Sequence, residues 1–279
     1  SEDVEVGLNP QFEAALASET KLTVTLAGDR FRSREITTYH MLLDDGTTNA
    51  INVFDGQTHR YFWSHVSTDA GSGDELSSDS AGLVSDQPAS SSNLHRPHML
   101  LLESGCPIVH LSTYLKGVAA VLADPGHGYF PEGCEIEVED LGYERFGGLR
   151  CRKILIDTVI NDESYNGWLL WLAEDRNWIP ARNVAYTYRW SEDVAVAESS
   201  VDEWKELRPG VWFPMKAQTD RYDSYAARDE GRQQLHWSKA YEFQSVSLEP
   251  ETNAETFTEL EFPEGTEVRV IEGGSELIR

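Results

Sequence analysis

The chain has 279 residues and a formal net charge of -25, from 23 Lys and Arg against 48 Asp and Glu. So acidic a surface excludes nucleic-acid binding, which needs basic groups to displace counterions, and charge-driven docking on anionic lipid. Hydrophobic residues at 40 % and charged residues at 25 % suffice for a buried core and a solvated surface, and no apolar run reaches the roughly 18 residues of a membrane-spanning helix.

Asn9-Pro10 before Gln11–Ser18 predicts a short helix, with Asn as N-cap and Pro at the first helical position. Strand alternation then begins. Leu22, Val24 and Leu26 face one way, and Lys21, Thr23 and Thr25 the other. Gly28-Asp29 is a turn, and Phe31–Leu43 is a second strand rich in Thr, Tyr and Ile. Asp44-Asp45-Gly46 reads as a tight hairpin signal, and Asp55-Gly56 as another. They bound strands at Thr48–Phe54 and Thr58–Val66. Ser67–Asn93 is dominated by Ser, Asp, Gly and Ala and buries too little apolar area to offset its ordering entropy, so it is expected to be a mobile insertion. Thr113–Ala123 is predicted as a helix capped by Ser112, with Leu115, Val118, Ala119 and Leu122 on one apolar face and Asp124-Pro125-Gly126 as its stop.

From Cys134 the strand grammar returns: Cys134–Leu141, Leu149–Ile160, Gly167–Ala173, Asn183–Trp190, Val194–Lys205, Val211–Tyr222, Gln233–Val246 and Val268–Ile271. Gly167–Ala173 is apolar on both faces, which predicts an interior strand. Roughly a dozen strands at hairpin spacing, without crossover helices between them, imply antiparallel pairing. The fold class expected is mostly β: one domain over 1–279, with a large curved antiparallel sheet covered by one or two helices. Cys106, Cys134 and Cys151 have no CxxC spacing, so neither a metal site nor a redox pair is implied, and the pair for any one disulfide stays open.

Four pieces, in order, carry a resemblance. They are Asp29-Arg30-Phe31-Arg32, Val53-Phe54-Asp55-Gly56-Gln57-Thr58, Trp168-Leu169-Leu170-Trp171 with Trp178-Ile179-Pro180, and the tail Phe257–Val268. Over about residues 10 to 270 the chain resembles the LolA/LolB/RseB superfamily of bacterial outer-membrane lipoprotein carriers and envelope-stress sensors. The chain is longer than the short carriers, which lack the 67–93 insertion. The resemblance implies an unclosed antiparallel half-barrel whose open side is plugged by helices around an apolar cavity for acyl chains. It also implies a periplasmic or secreted protein whose signal peptide has been removed, and partners that are a lipid, a lipoprotein acyl chain or another envelope protein.

For such a cavity the candidate lining is Leu22, Val24, Leu26, Tyr39, Met41, Val53, Tyr61, Trp63, Trp168 and Leu170, with Leu115, Val118 and Leu122 from the helix. The bland alternative is that these residues simply fill a core. Arg30, Arg32 and Arg34 stand out in an acidic chain; the resemblance implies that an arginine here gates the cavity by bonding to the covering helix, against the alternative of solvated strand residues. His95, His98 and His110 lack the carboxylate or Cys companions of a metal site. Glu135, Glu137, Glu139 and Asp140 could serve a carboxylate-dependent hydrolase, but alternating Glu residues are also the ordinary solvated face of a strand. No nucleophile, phosphate-binding or zinc motif is present. The expectation is a non-enzymatic binding protein without cofactor or metal. The alternatives are a sensor or interaction domain whose cavity is filled by its own side chains, and the hydrolase.

Overall fold

A computed structural model of the chain describes residues 7–8, 17–28, 30–40, 44–86, 116–117, 119–120, 133–249, 252–253, 255–273 and 275–278. Fifteen strands follow in chain order: β1 (Gly7–Leu8), β2 (Ala17–Ala27), β3 (Arg30–His40), β4 (Asp44–Phe54), β5 (His59–Asp69), β6 (Glu75–Ser85), β7 (Cys134–Phe146), β8 (Leu149–Ile160), β9 (Glu163–Ala173), β10 (Pro180–Thr187), β11 (Ala197–Arg208), β12 (Val211–Tyr222), β13 (Gln234–Glu242), β14 (Glu267–Glu272) and β15 (Ser275–Ile278). They form two open sheets in two compact units, in place of the single sheet expected. One unit comprises residues 1–12 and 96–248, the other residues 13–95 and 249–279.

The first unit holds an eight-stranded sheet in the order β1-β13-β12-β11-β10-β9-β8-β7. From β7 to β13 it is a meander of hairpins, each strand pairing antiparallel with the next. Short β1 adds to β13 in parallel. As its sequence predicted, β9 is buried on both faces from Gly167 on. On one face the register places Ile156, Trp168 and Ala185 side by side, and they join Leu170, Leu172, Val196 and Ala197 in a buried cluster. On the other, Cys151, Trp171, Ala173, Ala181, Val184 and Ala195 form a second cluster. Each large side chain buried in this way contributes about 1.5–3 kcal/mol. The second cluster is roofed by cations that lay their stems on it: Lys153 Nζ lies 4.7 Å and Arg182 Cζ 4.8 Å from the Trp171 ring. Their charges are met by Glu144 at 3.1 Å and Glu198 at 2.7 Å.

At one end of this sheet two turns are tied together. Asn177 in the β9–β10 turn donates to Gly210 O at 2.7 Å and accepts from Trp212 N at 2.7 Å, clamping the β11–β12 hairpin. Asn177 and Trp178 both hold φ of 59°, a left-handed geometry that Asn tolerates and Trp does so rarely.

The second unit holds a seven-stranded sheet in the order β15-β14-β6-β5-β4-β3-β2. β2 to β6 are again a meander. β14 joins β6 in parallel, so the expectation of purely antiparallel pairing fails at both parallel joints, here and at β1. Residues 255–262 lie across one face. Phe257, in a 3-10 turn (Glu255–Phe257), is 1 % exposed under the Arg30 guanidinium, 5.0 Å from its ring centre. Phe262 packs edge-on against Phe62 and lies where a side chain at Gly82 would otherwise be.

Several local expectations are corrected. Glu75–Ser85, inside the stretch expected to be a mobile insertion, is a strand paired with β5 and, over Ala81–Ser85, with β14 as well, and 67–69 belong to β5; residues 87–93 lie outside the described residues. Asp44-Asp45-Gly46 is not a turn but the start of β4, paired with β5 and, at Asp45 and Gly46, with β3. The helix expected over Gln11–Ser18 ends in strand, since Ala17 and Ser18 open β2; its remainder lies outside the described residues. Across Thr113–Ala123, Gly117 has φ of 90° and breaks any continuous helix, leaving Ala119 and Ala120 helical; the rest lies outside the described residues. Among the described residues, the only other helical pieces are the 3-10 turn and a short segment at 224–230 ending in a π turn (Ala226–Glu230), so coverage of the sheet by one or two helices is barely represented.

Candidate ligand-binding face

In β5 the sequence His59-Arg60-Tyr61-Phe62-Trp63-Ser64-His65 alternates ring with ring. A strand turns successive side chains to opposite faces, so His59, Tyr61, Trp63 and His65 share one face. The register extends that face across the sheet. Tyr61 pairs with Asn52 and Leu83, Trp63 with Ala50 and Ala81, and His59 with Phe54. Phe54 pairs with Phe31, and Phe31 with Leu26; Val24 and Leu22 follow on β2 at the same side. Tyr39, opposite Gly46, closes the other end.

The result is a strip of rings with two organised ends. At one, the rings of Trp63, His65 and Tyr39 lie nearly parallel, with centroids 6.0 Å apart and 7° between planes for the first pair, 5.8 Å and 6° for the second. Tyr39 Oη is 3.1 Å from His65 Nε2, which fixes both rings. At the other, Phe31 packs against Phe54 at 5.9 Å and His59 at 6.3 Å. Burial pushes the His59 imidazole below its ordinary value, so it is neutral at pH 7, and its Nε2 lies 3.2 Å from Asn52 Oδ1. Burial, with the Glu35 carboxylate nearby, pushes the Tyr61 phenol up, so it too is neutral. Tyr61, Trp63, Leu22 and Leu26 are half-buried, and Val24 is exposed. Glu35, opposite Leu22 and Ala50, and Asp79, opposite His65, bring two carboxylates to the same face; what its aromatic and aliphatic groups offer a ligand is removal of apolar surface from water.

The structure brings together six of the residues predicted to line a cavity: Leu22, Val24, Leu26, Tyr39, Tyr61 and Trp63. Val53 stands on the opposite face, paired with Arg32 and Arg60, and is fully buried. Trp168 and Leu170 belong to the other unit, where they are buried in its core. Met41, Leu115, Val118 and Leu122 lie outside the described residues, as do His95, His98, His110 and Cys106. Phe31, Phe54, His59 and His65 are not among the lining residues expected from sequence, although the period of two in β5 marks His59 and His65.

Arg30, Arg32 and Arg34 are on the face opposite the ring strip. Arg30 stacks on Phe257, Arg32 donates to Glu259 O at 2.7 Å, and Arg34 donates to Asn49 Oδ1 at 3.3 Å. Two of the three therefore hold the 255–259 segment in place. Of the acidic set, Glu135, Glu137 and Glu139 lie on one side of β7, and Asp140 on the other, paired with Arg152. Among the described residues no group of three or more His, Cys, Asp or Glu side chains is arranged to hold a metal ion.

No family model matches the chain. No curated protein matches it. Solved structures similar to it include a DUF1329 family protein from Desulfovibrio piger, at 13 % identity and a TM-score of 0.27, covering 76 % of this chain and 81 % of that one. A second is a putative outer membrane lipoprotein-sorting protein domain from Vibrio parahaemolyticus, at 10 % identity and a TM-score of 0.29, covering 81 % and 84 %. A third is a LolA superfamily protein from Nitrosomonas europaea, at 10 % identity and a TM-score of 0.30, covering 88 % and 89 %. The similar structures thus include a member of the group that the sequence motifs resemble.

Proposed function

We propose that the chain is a non-enzymatic binding protein of the bacterial cell envelope, and that the ring strip of β2–β5 takes an acyl chain or the lipidated end of another protein. The observation that carries this reading is the strip itself: Leu22, Val24, Leu26, Tyr39, Tyr61 and Trp63 gathered on one face, half-buried to exposed. The sequence motifs that resemble the LolA/LolB/RseB superfamily support it, and with it a periplasmic address. Binding needs no cofactor. Each buried methylene contributes about 0.8 kcal/mol, so two added methylenes tighten binding by about 1.6 kcal/mol, roughly 15-fold.

A second reading has its own support. Phe31, on the same face, is fully buried, as a ring in a self-filled sensor or interaction domain would be. The two readings part on one experiment. Protein purified from a bacterial envelope is extracted for lipid, and fatty acids of increasing length are titrated against an environment-sensitive dye. The proposal expects co-purified acyl chains, affinity that climbs with chain length, and about tenfold weaker binding in Trp63→Ala. No co-purified lipid together with no dye site would reject it in favour of the self-filled domain.

A further inference from the structure

β7 is the last strand of the eight-stranded sheet, and among the described residues its outer edge has no partner. An unpaired edge offers a row of backbone donors and acceptors to any extended chain, and proteins ordinarily blunt such edges by shortening, bending or covering them. β7 is instead 13 residues long, and nearly every residue from Glu135 to Arg145 is exposed. Among the described residues it is blunted only beyond Asp140. There the register with β8 slips, Gly142 takes φ of 85°, and Asp140 Oδ1 accepts from Gly142 N at 2.9 Å, the signature of a bulge. Past the bulge Tyr143 is held under Arg150 and Arg152, at 3.9 and 4.8 Å. The straight, open part is Cys134–Asp140.

That segment has two dissimilar faces. Glu135, Glu137 and Glu139 point one way, and all three are exposed. Ile136 and Val138 point the other, with Val138 44 % exposed. Beside the glutamates is a cavity of about 360 Å³ lined by Glu137, Val138, Glu139, Leu155 and Asp157. The basic groups of β8 are spent elsewhere, Arg152 on Asp140 and Lys153 on Glu144, so among the described residues none of the three glutamates has a basic partner. On the inner side Tyr188 Oη donates to Asp157 Oδ1 at 3.0 Å. Burial, with the charges of Glu137 and Glu139, raises the Asp157 carboxyl above its ordinary value, which marks the cavity as short of positive charge.

We propose that the Cys134–Asp140 edge of β7 is a docking site for an extended segment of another protein, alternately basic and apolar, that adds to the sheet as a further strand. Cross-strand neighbours decide the alternation: basic side chains lie against Glu135, Glu137 and Glu139 and reach the cavity, and apolar ones lie against Ile136 and Val138. A second copy of this chain does not fit. Antiparallel self-pairing about Val138 would set Glu137 against Glu139 twice, and like charges directly opposite repel. The glutamates therefore select the partner as well as attract it.

The test uses the full chain and the labelled peptide acetyl-Lys-Val-Lys-Val-Lys-Val-Lys-amide, followed by fluorescence anisotropy at low salt. In a strand, alternate residues turn their N–H groups to the same side, so two N-methylated versions are compared, one methylated on the valines and one on the lysines. The proposal expects one of the two to bind about tenfold or more weakly and the other to bind like the parent. The double variant Glu137→Lys with Glu139→Lys should lose binding to a similar degree while keeping its circular dichroism spectrum, and hydrogen exchange should slow at 134–140 when the parent peptide is added. Equal binding by both methylated peptides means charge attraction without strand addition and overturns the proposal. So does unchanged binding by the folded double variant, or the absence of parent-peptide binding.

Discussion

Gly46 offers a test in which two physical effects have opposite sign. It lies within β4 and has no positive φ, so its backbone suits alanine. On backbone entropy alone Gly46→Ala should stabilise by about 0.4–1 kcal/mol. The opposing effect is steric. A Cβ at this position would lie 2.0 Å from Tyr39 Cζ and 2.1 Å from its Oη, because the Tyr39 ring lies flat over the glycine. The ring must swing away, losing its bond to His65 at about 0.5–1.5 kcal/mol and its stack on the same ring at about 0.5–1.5 kcal/mol. The net expectation is destabilisation by about 1–2 kcal/mol. Urea unfolding of wild type, Gly46→Ala, Tyr39→Ala and the double variant measures it. With Tyr39 gone the clash is gone, so in that background Gly46→Ala should change sign and stabilise by about 0.4–1 kcal/mol. The reasoning fails if Gly46→Ala is at least as stable as wild type, or if its cost is the same in both backgrounds. The same variant should also weaken acyl binding, since Tyr39 anchors one end of the ring strip.

Asn177 clamps two turns from a left-handed backbone, so its replacements should rank by mechanism. Asn177→Ala loses both bonds and adds strain, at about 2–3 kcal/mol in denaturant unfolding; Asn177→Gly loses the bonds alone and should cost about 1 kcal/mol less. Equal losses would show that the φ of 59° carries no strain. Asp157 predicts a pH effect. Burial first, then Glu137 and Glu139, raise its folded pKa, so folded protein keeps a proton that the unfolded chain has already lost. Its contribution to stability is full below the ordinary carboxylate value and disappears as pH rises through the raised one. Asp157→Asn keeps an acceptor for Tyr188 and removes the titration. Wild type should therefore lose stability relative to the variant between about pH 4 and neutrality, as measured by urea unfolding at a series of pH values. A constant difference across that range would refute the assignment.

The boundaries of β8 and β12 are legible from sequence because turn residues bracket clean alternation: Gly147-Gly148 before the first, Arg208-Pro209-Gly210 before the second. β6 is not. From Glu75 to Ala81 every residue is exposed, so neither face leaves an apolar period; the strand is held by β5 and, from Ala81 on, by β14. Gly46 misleads for a related reason. Beside two aspartates it reads as a turn, whereas it is required for the close approach of a ring from the neighbouring strand. The six residues gathered on the ring strip follow from period two within β2, β3 and β5. Val53 does not, because pairing with Arg60 rather than Tyr61 turns it to the other face, and a one-residue shift in register moves every side chain across the sheet. The return of β14 to β6 has no local signal at all.

That return has a consequence for synthesis. Ser80 and Thr266 meet across the β6–β14 joint although 186 residues separate them. At about 5–20 residues per second a ribosome needs roughly 10–40 s to make the intervening chain. For that time β6 waits in water without its outer neighbour, while β7 to β13 of the other sheet are being made. An apolar strand so exposed would recruit other nascent chains. β6 limits that hazard by keeping its apolar edge short: only Ala81–Ser85 waits for β14, and Glu75–Ser80 beside it is polar but for Leu76.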